Sequence, residues 1–482
     1  MNFSVMTGFL RILQAMQGQG KSSPICPSSD VCLPLRGKLH SLFALARPSD
    51  SMPAHTKYAS SRQICLLFKT LIHIFITISI LGLYFCTCAL AWDKEYIQMP
   101  GVIHLHTVVS GGTKTVNEYA QMAEERGIGI VIITDHDSAK YEYGIGLKKI
   151  FKKVVEEDSV LKFGIDRYLG LIKHAGEKNP DVMVIDGVES FPFYYWTGNY
   201  FKKNLTLNNR DKHMLVIGLD NPEDYKYMPL IANGIARYDQ YHGENYVLPY
   251  QDLINYVHKK GGLTFWAHPE HEEVVNVKGV RAVTKPYYED LLRTDGYTGF
   301  SVFYEGYSKI GRPGGIWDKV LMEYCSGKRK KPVWAIGELD DHGIGDRDLI
   351  DVMTIFLMKG KNRKEALDAL REGRIYAVRR GSVRHSMRLG DFSVKGERDS
   401  KRDFNPVISV KIDYSGVNEP QGKKITAWIV RNGKIVWEEK GICPFSFDYR
   451  DSSYDVGSKG YYRLDISDED GCHIISNPIF LN

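Results

Sequence analysis

His104-Leu105-His106 follows the apolar pair Val102-Ile103, and Thr134-Asp135-His136-Asp137 follows the apolar run Ile128 to Ile133. The arrangement recurs down the chain. Val182 to Ile185 leads into Glu189, and His213 opens Met214-Leu215-Val216-Ile217. Leu263 to Ala267 leads into His268, and Val333 to Ile336 leads into Asp340-Asp341-His342. Short apolar runs of this kind read as buried strands, so the ligand-type side chains stand at strand ends. Histidine and carboxylate at the mouths of successive strands suit a hard or borderline divalent cation, and a shared carboxylate suits two. One such histidine is unremarkable. Six of the twelve histidines beyond residue 91 stand in these places, which sets the pattern apart from chance.

Between these runs lie helical stretches. Thr115 to Arg126 has apolar residues at Val116, Tyr119, Ala120 and Ala123, Glu118 near its start and Gly127 as a stop. Gln251 to Lys260 and Arg363 to Glu372 repeat the period and end at Gly261-Gly262 and Gly373. Strand–helix alternation with ligands at the strand ends predicts a parallel α/β barrel over residues 92–390, with its chemistry at one face. Beyond Gly390 the period changes to two, in Val407 to Ile412, Ile425 to Val430, Lys434 to Trp437, Phe445 to Phe447, Tyr461 to Ile466 and His473 to Ile475. Arg431-Asn432-Gly433 is a hairpin turn, and Asp468 to Gly471 is a second candidate. Residues 391–482 therefore read as a small antiparallel β-sandwich. It holds no ligand cluster and is expected to serve packing or positioning.

The N-terminal part is of another kind. Thr70 to Ala91 is nearly all apolar, Lys57, Arg62 and Lys69 precede it, and Ala89-Leu90-Ala91 closes it. That order is a secretory signal over residues 52–91, predicting a secreted or periplasmic protein. The run of about 20 residues is also long enough for an uncleaved membrane anchor. Residues 1–51 lack periodicity and read as an upstream extension. Residues 1–91 hold eight Lys+Arg and two Asp+Glu, so of 63 basic and 58 acidic groups the remainder keeps 55 and 56. A near-neutral remainder gives no reason to expect a nucleic-acid surface. Cys325, Cys443 and Cys472 remain, without CxxC spacing; Cys443 and Cys472 are read either as a pair or as two small apolar side chains.

With all the separated motifs in the same order, residues 98–482 resemble the PHP (polymerase and histidinol phosphatase) family of metal-dependent phosphoesterases. The C-terminal β-sandwich and the Gly373-Arg374-Ile375-Tyr376-Ala377 join resemble its carbaryl-hydrolase-like branch. The resemblance implies a distorted (β/α)7 barrel with two or three divalent metals, Zn, Mn or Fe. His104 and His106 match the HxH motif and His136 the TDH motif. Glu189 matches the bridging carboxylate, His213 and His268 the middle histidines, and Asp340 and His342 the final D-x-H. It implies His104, His106, His136, Glu189, His213, His268, Asp340 and His342 as metal ligands, with Glu189, Asp340 and His342 also acting in catalysis. One position departs. Gly111 stands where the family commonly carries an acidic ligand, and glycine has no side chain to offer. That favours two metals: His104, His106 and Asp340 for one, His213 and His268 for the other, with Glu189 between them.

The function expected is an exported metal-dependent hydrolase of a small phosphate ester, carbamate or carboxylic ester. The alternative is a non-catalytic metal- or ligand-binding protein on a degenerate barrel. A membrane partner is expected only if the signal segment stays uncleaved. His174, His258, His385 and His473 read as structural. His271 and Glu305 are candidates for substrate contact or proton transfer, Asp135 and Asp137 for groups behind the ligands, and Asp341 for a solvated acid or another such group. Arg237, Arg312 and Arg347 are candidate phosphate holders, and Lys328 to Lys331 a solvated loop. Phe191 to Trp196, with Tyr200 and Phe201, either packs an interface or walls a pocket. Asn204-Leu205-Thr206 is a glycosylation sequon in a host that modifies exported chains.

Overall fold

A computed structural model describes residues 96–145, 151–241, 243–277, 279–381, 386–398, 404–415, 422–455 and 457–481. The expectations for residues 1–91 and for His385 lie outside the described residues.

The apolar runs form seven strands: β1 (Ile97–Leu105), β2 (Ile130–Ile133), β3 (Met183–Ser190), β4 (Met214–Ile217), β5 (Leu263–Trp266), β6 (Gly299–Phe303) and β7 (Trp334–Gly337). They lie side by side in chain order. The sheet curls until its ends meet. Beyond β7, Leu339 N–H donates to Ile103, Asp341 N–H to His104 and His106 N–H to Asp341, at 2.9, 3.1 and 2.8 Å. Both faces of these strands are covered, which is why the runs are continuous rather than alternating. Ile103, Ile132, Ile185, Leu215, Phe265 and Ile336 share one core. Val102, Val131, Val188 and Val216 point the other way, toward the helices.

The expectation of an all-parallel sheet needs one correction. β4 runs antiparallel to both β3 and β5. The reversal explains why His213 precedes its apolar run while the other ligands follow theirs. The start of a reversed strand lies at the same rim as the ends of its neighbours.

Helix α1 (Val116–Glu125) begins with a capping box. Thr115 Oγ1 accepts the Glu118 N–H, and the Glu118 carboxylate accepts the Thr115 N–H. Its buried face is the expected Val116, Tyr119, Ala120 and Ala123. The sequence reading missed helices α2 (Ile165–Lys178) and α4 (Ile316–Cys325), which flank α3 (Leu248–Lys259) in the chain order. Helix α5 (Arg363–Glu372) ends at Gly373, whose left-handed φ of 73° sets a Cβ position 2.4 Å from the Trp334 ring.

Two further strands carry the sheet onward. β8 (Val352–Met358) pairs with the first half of β1, and β9 (Ile375–Arg379) pairs with β8. The C-terminal region supplies β10 (Ser386–Arg398), β11 (Phe404–Ser415), β12 (Lys424–Arg431), β13 (Lys434–Ile442), β14 (Phe445–Arg450), β15 (Gly460–Asp468), β16 (His473–Ser476) and β17 (Ile479–Leu481). β16 pairs directly with β9, so the curled sheet runs without a break into β15, β12 and β13. A separate sheet of β10, β11 and β14 shares its core with them. The turn between β12 and β13 is Asn432-Gly433, both left-handed at φ 51° and 82°. At the join, the fully buried Arg463 grips Asp318 of α4 through Nε and Nη2 at 2.8 and 2.7 Å. Cys325, Cys443 and Cys472 are buried and form no disulfide. Cys443 Sγ donates to the Ile412 carbonyl, and Cys472 Sγ accepts the Met387 N–H.

Where β8 wedges beside β7, Thr354 Oγ1 both accepts the Gly337 N–H and donates to the Gly337 carbonyl, each at 2.9 Å. Thr354→Val keeps the shape and strands both buried backbone groups. It is expected to cost roughly 1–3 kcal/mol in denaturant unfolding, with Thr354→Ser near wild type.

Candidate metal centre

Glu189 ends β3 with its carboxylate 2% exposed. Oε1 lies 3.2 Å from His104 Nε2, 2.7 Å from His213 Nδ1 and 3.0 Å from His268 Nε2. Oε2 lies 3.3 Å from His106 Nε2 and 2.8 Å from His136 Nδ1. Asp340 Oδ1 approaches His104, His106 and His342 at 3.5, 3.5 and 3.7 Å. The eight residues that the sequence pattern singles out thus converge on one point. Of the expected division, His104, His106 and Asp340 do lie together, while the other histidines regroup. His268 falls in with His104 and Glu189, and His136 with Glu189 and His213.

The outer nitrogens show how each ring is aimed. His104 Nδ1 meets the Glu338 carboxylate at 3.1 Å. His106 Nδ1 meets Ser110 Oγ at 3.0 Å, and that hydroxyl donates to Asp135 at 2.6 Å. His268 Nδ1 meets the Tyr287 hydroxyl at 3.1 Å, and that hydroxyl donates to the Ala267 carbonyl. His213 Nε2 meets the Arg210 carbonyl at 3.0 Å. Each of these partners is placed to accept, so each outer nitrogen carries a hydrogen, which leaves the inner one free to offer a lone pair to a cation once any proton shared with Glu189 is displaced. His104 Nε2, His106 Nε2 and His136 Nδ1 are buried with no hydrogen-bond partner, despite the nearby carboxylates. Orphaned inward lone pairs beside a buried carboxylate fit divalent cations.

The backbone is bent to reach this arrangement. His104, His268 and Asp340 hold left-handed φ of 75°, 26° and 50°. His104 also sits where the β1–β2 ladder slips register. Such conformations are unfavourable for residues with a Cβ and cluster where function over-determines them.

The electrostatics follow from crowding. Burial opposes ionisation of Glu189, but His213, His104 and His136 outweigh it and hold the carboxyl well below the usual range. Burial, reinforced by His136, pushes His106 down to about 3, so its ring stays neutral. Burial also pulls at His268, yet the Glu189 hydrogen bond and charge carry it up to about 9. Buried Asp137 is pushed up to about 6.

A cavity of about 480 Å³ opens beside His136 and His342, lined also by Ser110 and Gly111. Gly111 has φ 94°, and a Cβ there would meet nothing within 4 Å. The wall opposite carries Lys162 and Arg210 with Glu156, Glu157 and Asp158, none of which the sequence reading named.

Other expectations fall elsewhere. His271 meets Glu305 at 2.7 Å, with its ring 5.4 Å from that of His268. Asp135 takes the Thr107 N–H and hydroxyl at 2.7 and 2.8 Å, and Asp137 takes the Phe191 N–H at 3.3 Å. Asp341 is buried rather than solvated, held by the Tyr119 hydroxyl at 2.8 Å. Arg347 donates to the Leu339 and Asp340 carbonyls, steadying the ligand loop, whereas exposed Arg237 pairs with Asp252 and Arg312 is exposed on another loop. The basic run is not wholly solvated. Arg329 is buried, donating to the Leu291, Leu292 and Thr294 carbonyls. Phe191 packs edge-on against His213 at 5.5 Å, while Phe193 and Tyr194 join the core. Trp196 donates to the Glu142 carbonyl. His174 and His258 are exposed, and His473 is buried against Asp465.

No family model and no curated protein matches this chain. Among solved structures it is similar to a two-domain protein from Bacteroides vulgatus containing a predicted PHP-like metal-dependent phosphoesterase. That match has 15% identity and a TM-score of 0.38, over 80% of this chain and 96% of the other. It is also similar to a Bifidobacterium adolescentis protein proposed to be a metal-dependent phosphoesterase, at 16% identity and TM-score 0.27, covering 52% and 89%. A third is an amidohydrolase from Chromobacterium violaceum, at 14% identity and TM-score 0.23, covering 50% and 87%. These likenesses are loose in shape, and the chemistry is read from the side chains themselves.

Glu338, unremarked in the sequence, ties the centre together. One oxygen accepts from His104, the other takes the His268 N–H at 2.7 Å. Glu338→Gln is expected to weaken Zn or Mn binding about 10- to 100-fold in a competitive chelator titration. With no cation bound, His268 keeps its proton up to about pH 9, and a cation must displace it. Cation uptake near neutral pH is therefore expected to release protons, with affinity weakening as pH falls. Calorimetry in buffers of differing ionisation heat reads this directly.

Proposed function

We propose that the chain is a PHP-type metal-dependent hydrolase on a distorted (β/α)7 barrel, cleaving an ester bond of a small molecule. The observation that carries the reading is Glu189, whose two oxygens lie among five imidazoles, four of them anchored by an outer hydrogen bond. His104, His106, His136, Glu189, His213, His268, Asp340 and His342 would hold two divalent cations, Gly111 leaving the His106–His136–His342 group without an acid. Bound there, such ions supply Lewis acidity that activates water and draws charge from an ester oxygen.

The protein's own groups prepare the place. Glu338, Ser110, Tyr287 and the Arg210 carbonyl fix ring orientation before any substrate arrives. The fixed dipoles then need no rearrangement during reaction. The cavity wall favours the less charged of the two ester classes. Lys162 is paired with Asp158 at 2.9 Å, and Arg210 with Glu273 and Asp211 at 3.0 and 3.2 Å. Neither cation is left over for a phosphate dianion, which supports a carbamate or carboxylic ester over a phosphate monoester. For residues 52–91 we propose an export signal, on the order of basic, apolar and small residues.

The protein loaded with Mn or Zn is expected to hold about two ions per chain and to hydrolyse p-nitrophenyl acyl or carbamate esters faster than p-nitrophenyl phosphate. His104→Ala, His268→Ala and Asp340→Ala are each expected to abolish turnover, and His258→Ala to leave it unchanged. Ligand variants that keep wild-type rates would refute the hydrolase. Tight metal binding without turnover of any ester class would favour a binding protein instead.

A further inference from the structure

A second cavity, of about 240 Å³, is lined by Tyr287 but by none of the eight ligand residues. Asn209 and Lys212, from the segment before β4, form part of its wall, and the stretch from Lys285 to Asp290 forms another part.

Two charged groups in this wall are buried. Lys212 is 4% exposed and Asp290 5%. Lys212 Nζ lies 2.5 Å from Asp290 Oδ2 and 4.5 Å from the centre of the Tyr250 ring. That Oδ2 nevertheless has no partner in hydrogen-bonding geometry, so the pair is a charge contact that leaves hydrogens of the ammonium to share. The Asn209 amide nitrogen is likewise buried without a partner. Its residue is fixed in place, at a left-handed φ of 64° with its N–H on the Val283 carbonyl at 2.9 Å. Two donors short of acceptors on one cavity wall fit the two oxygens of a carboxylate.

The outer charges say what else the occupant carries. Arg293 is taken by Glu289 at 3.0 Å and Asp290 at 3.7 Å. Lys285 and Glu244 also line the cavity, and both are exposed. Among the described residues neither has an ion-pair partner. One unpaired charge of each sign disfavours a dianion and a dication alike, and suits a ligand that bears both charges.

We propose that this cavity binds a small zwitterion, an amino acid whose carboxylate meets Lys212 and Asn209 and whose ammonium meets Glu244, and that its occupancy tunes cation affinity at the metal centre. The link is short. One peptide bond joins Lys212 to the ligand His213, and the Tyr250 hydroxyl donates to the Lys212 carbonyl at 3.3 Å. The Tyr287 hydroxyl meets His268 Nδ1 at 3.1 Å, and Lys212 Nζ lies 5.8 Å from the centre of the Tyr287 ring. A carboxylate drawn to the Lys212 ammonium therefore acts on two ligand histidines through the groups that hold them. Such coupling is reciprocal, so a bound cation changes zwitterion affinity by the same factor. The site requires no turnover and stands apart from the hydrolase reading.

The test is calorimetric titration of the full chain, stripped of metal and loaded with Zn. The probes are 4-aminobutyrate and 6-aminohexanoate, whose ends lie too far apart to form a stable chelate ring on an ion. Butyrate and butylammonium are the single-charge controls. At least one of the zwitterions is expected to bind the stripped protein once per chain, with both controls at least about tenfold weaker. Asn209→Gly, which suits the left-handed φ, should weaken it about tenfold. Glu244→Gln should bring the zwitterion down to the level of butyrate. Lys212→Met together with Asp290→Asn removes the buried charges as a pair and should abolish binding. Saturating zwitterion should shift Zn affinity about fivefold or more in a chelator competition. No binding, butyrate binding as well as the zwitterions, or binding indifferent to Asn209→Gly and Glu244→Gln overturns the site. Binding seen only with Zn present also overturns it, and assigns the ligand to the metal centre. Binding that leaves Zn affinity unchanged overturns the tuning.

Discussion

A carboxylate shut away from water is among the most costly things a protein can build, and Glu189 is one. It stays charged because imidazoles from five positions, widely spaced in the chain, surround it. Those rings cannot drift toward their own best positions, since each is needed where the carboxylate lies. The curled sheet answers that demand. It brings strand ends from residues 104 to 340 to one rim, and it closes through the bonds between the β1 end and the segment carrying Asp340. The left-handed backbone at His104, His268 and Asp340 is the residual strain of meeting the demand.

Much of this was readable in advance because the signals are local. An apolar run bordered by a histidine or carboxylate marks a strand end, and the recurrence of that pattern down the chain marks a shared site. The eight converging residues were all visible that way, as were α1 with its Thr115–Glu118 cap and the Asn432-Gly433 turn. The reversal of β4 was also visible in principle, since His213 precedes its run. A ligand on the wrong side of a strand is the mark of a strand running backward.

What escaped is non-local. Glu338 sits between β7 and Asp340 and looks like a loop acid; only the fold brings it against His104 and the His268 backbone. Arg210 and Lys162 face the cavity because their elements pack across from His136, and no spacing reveals that. Arg329 reads as one of a run of solvated cations. It is buried because three carbonyls at the end of a neighbouring short helix await a donor. The pairing of Glu305 with His271 likewise spans 34 residues.

The hydrogen bonds between β9 and β16 carry a consequence for inheritance. A domain joined by a linker can be lost, swapped or copied without harm to its neighbour. Here the C-terminal strands continue the same sheet that holds the ligands, and Arg463 is buried only because Asp318 of α4 meets it. Removing residues 391–482 would bare the edge of β9 and leave Asp318 an unpaired charge in a dry place. The two halves are therefore one unit of selection. A substitution in β16 can be felt at the ligand rim through three strands of shared backbone, and recombination that separates them leaves an open sheet edge rather than a smaller folded unit.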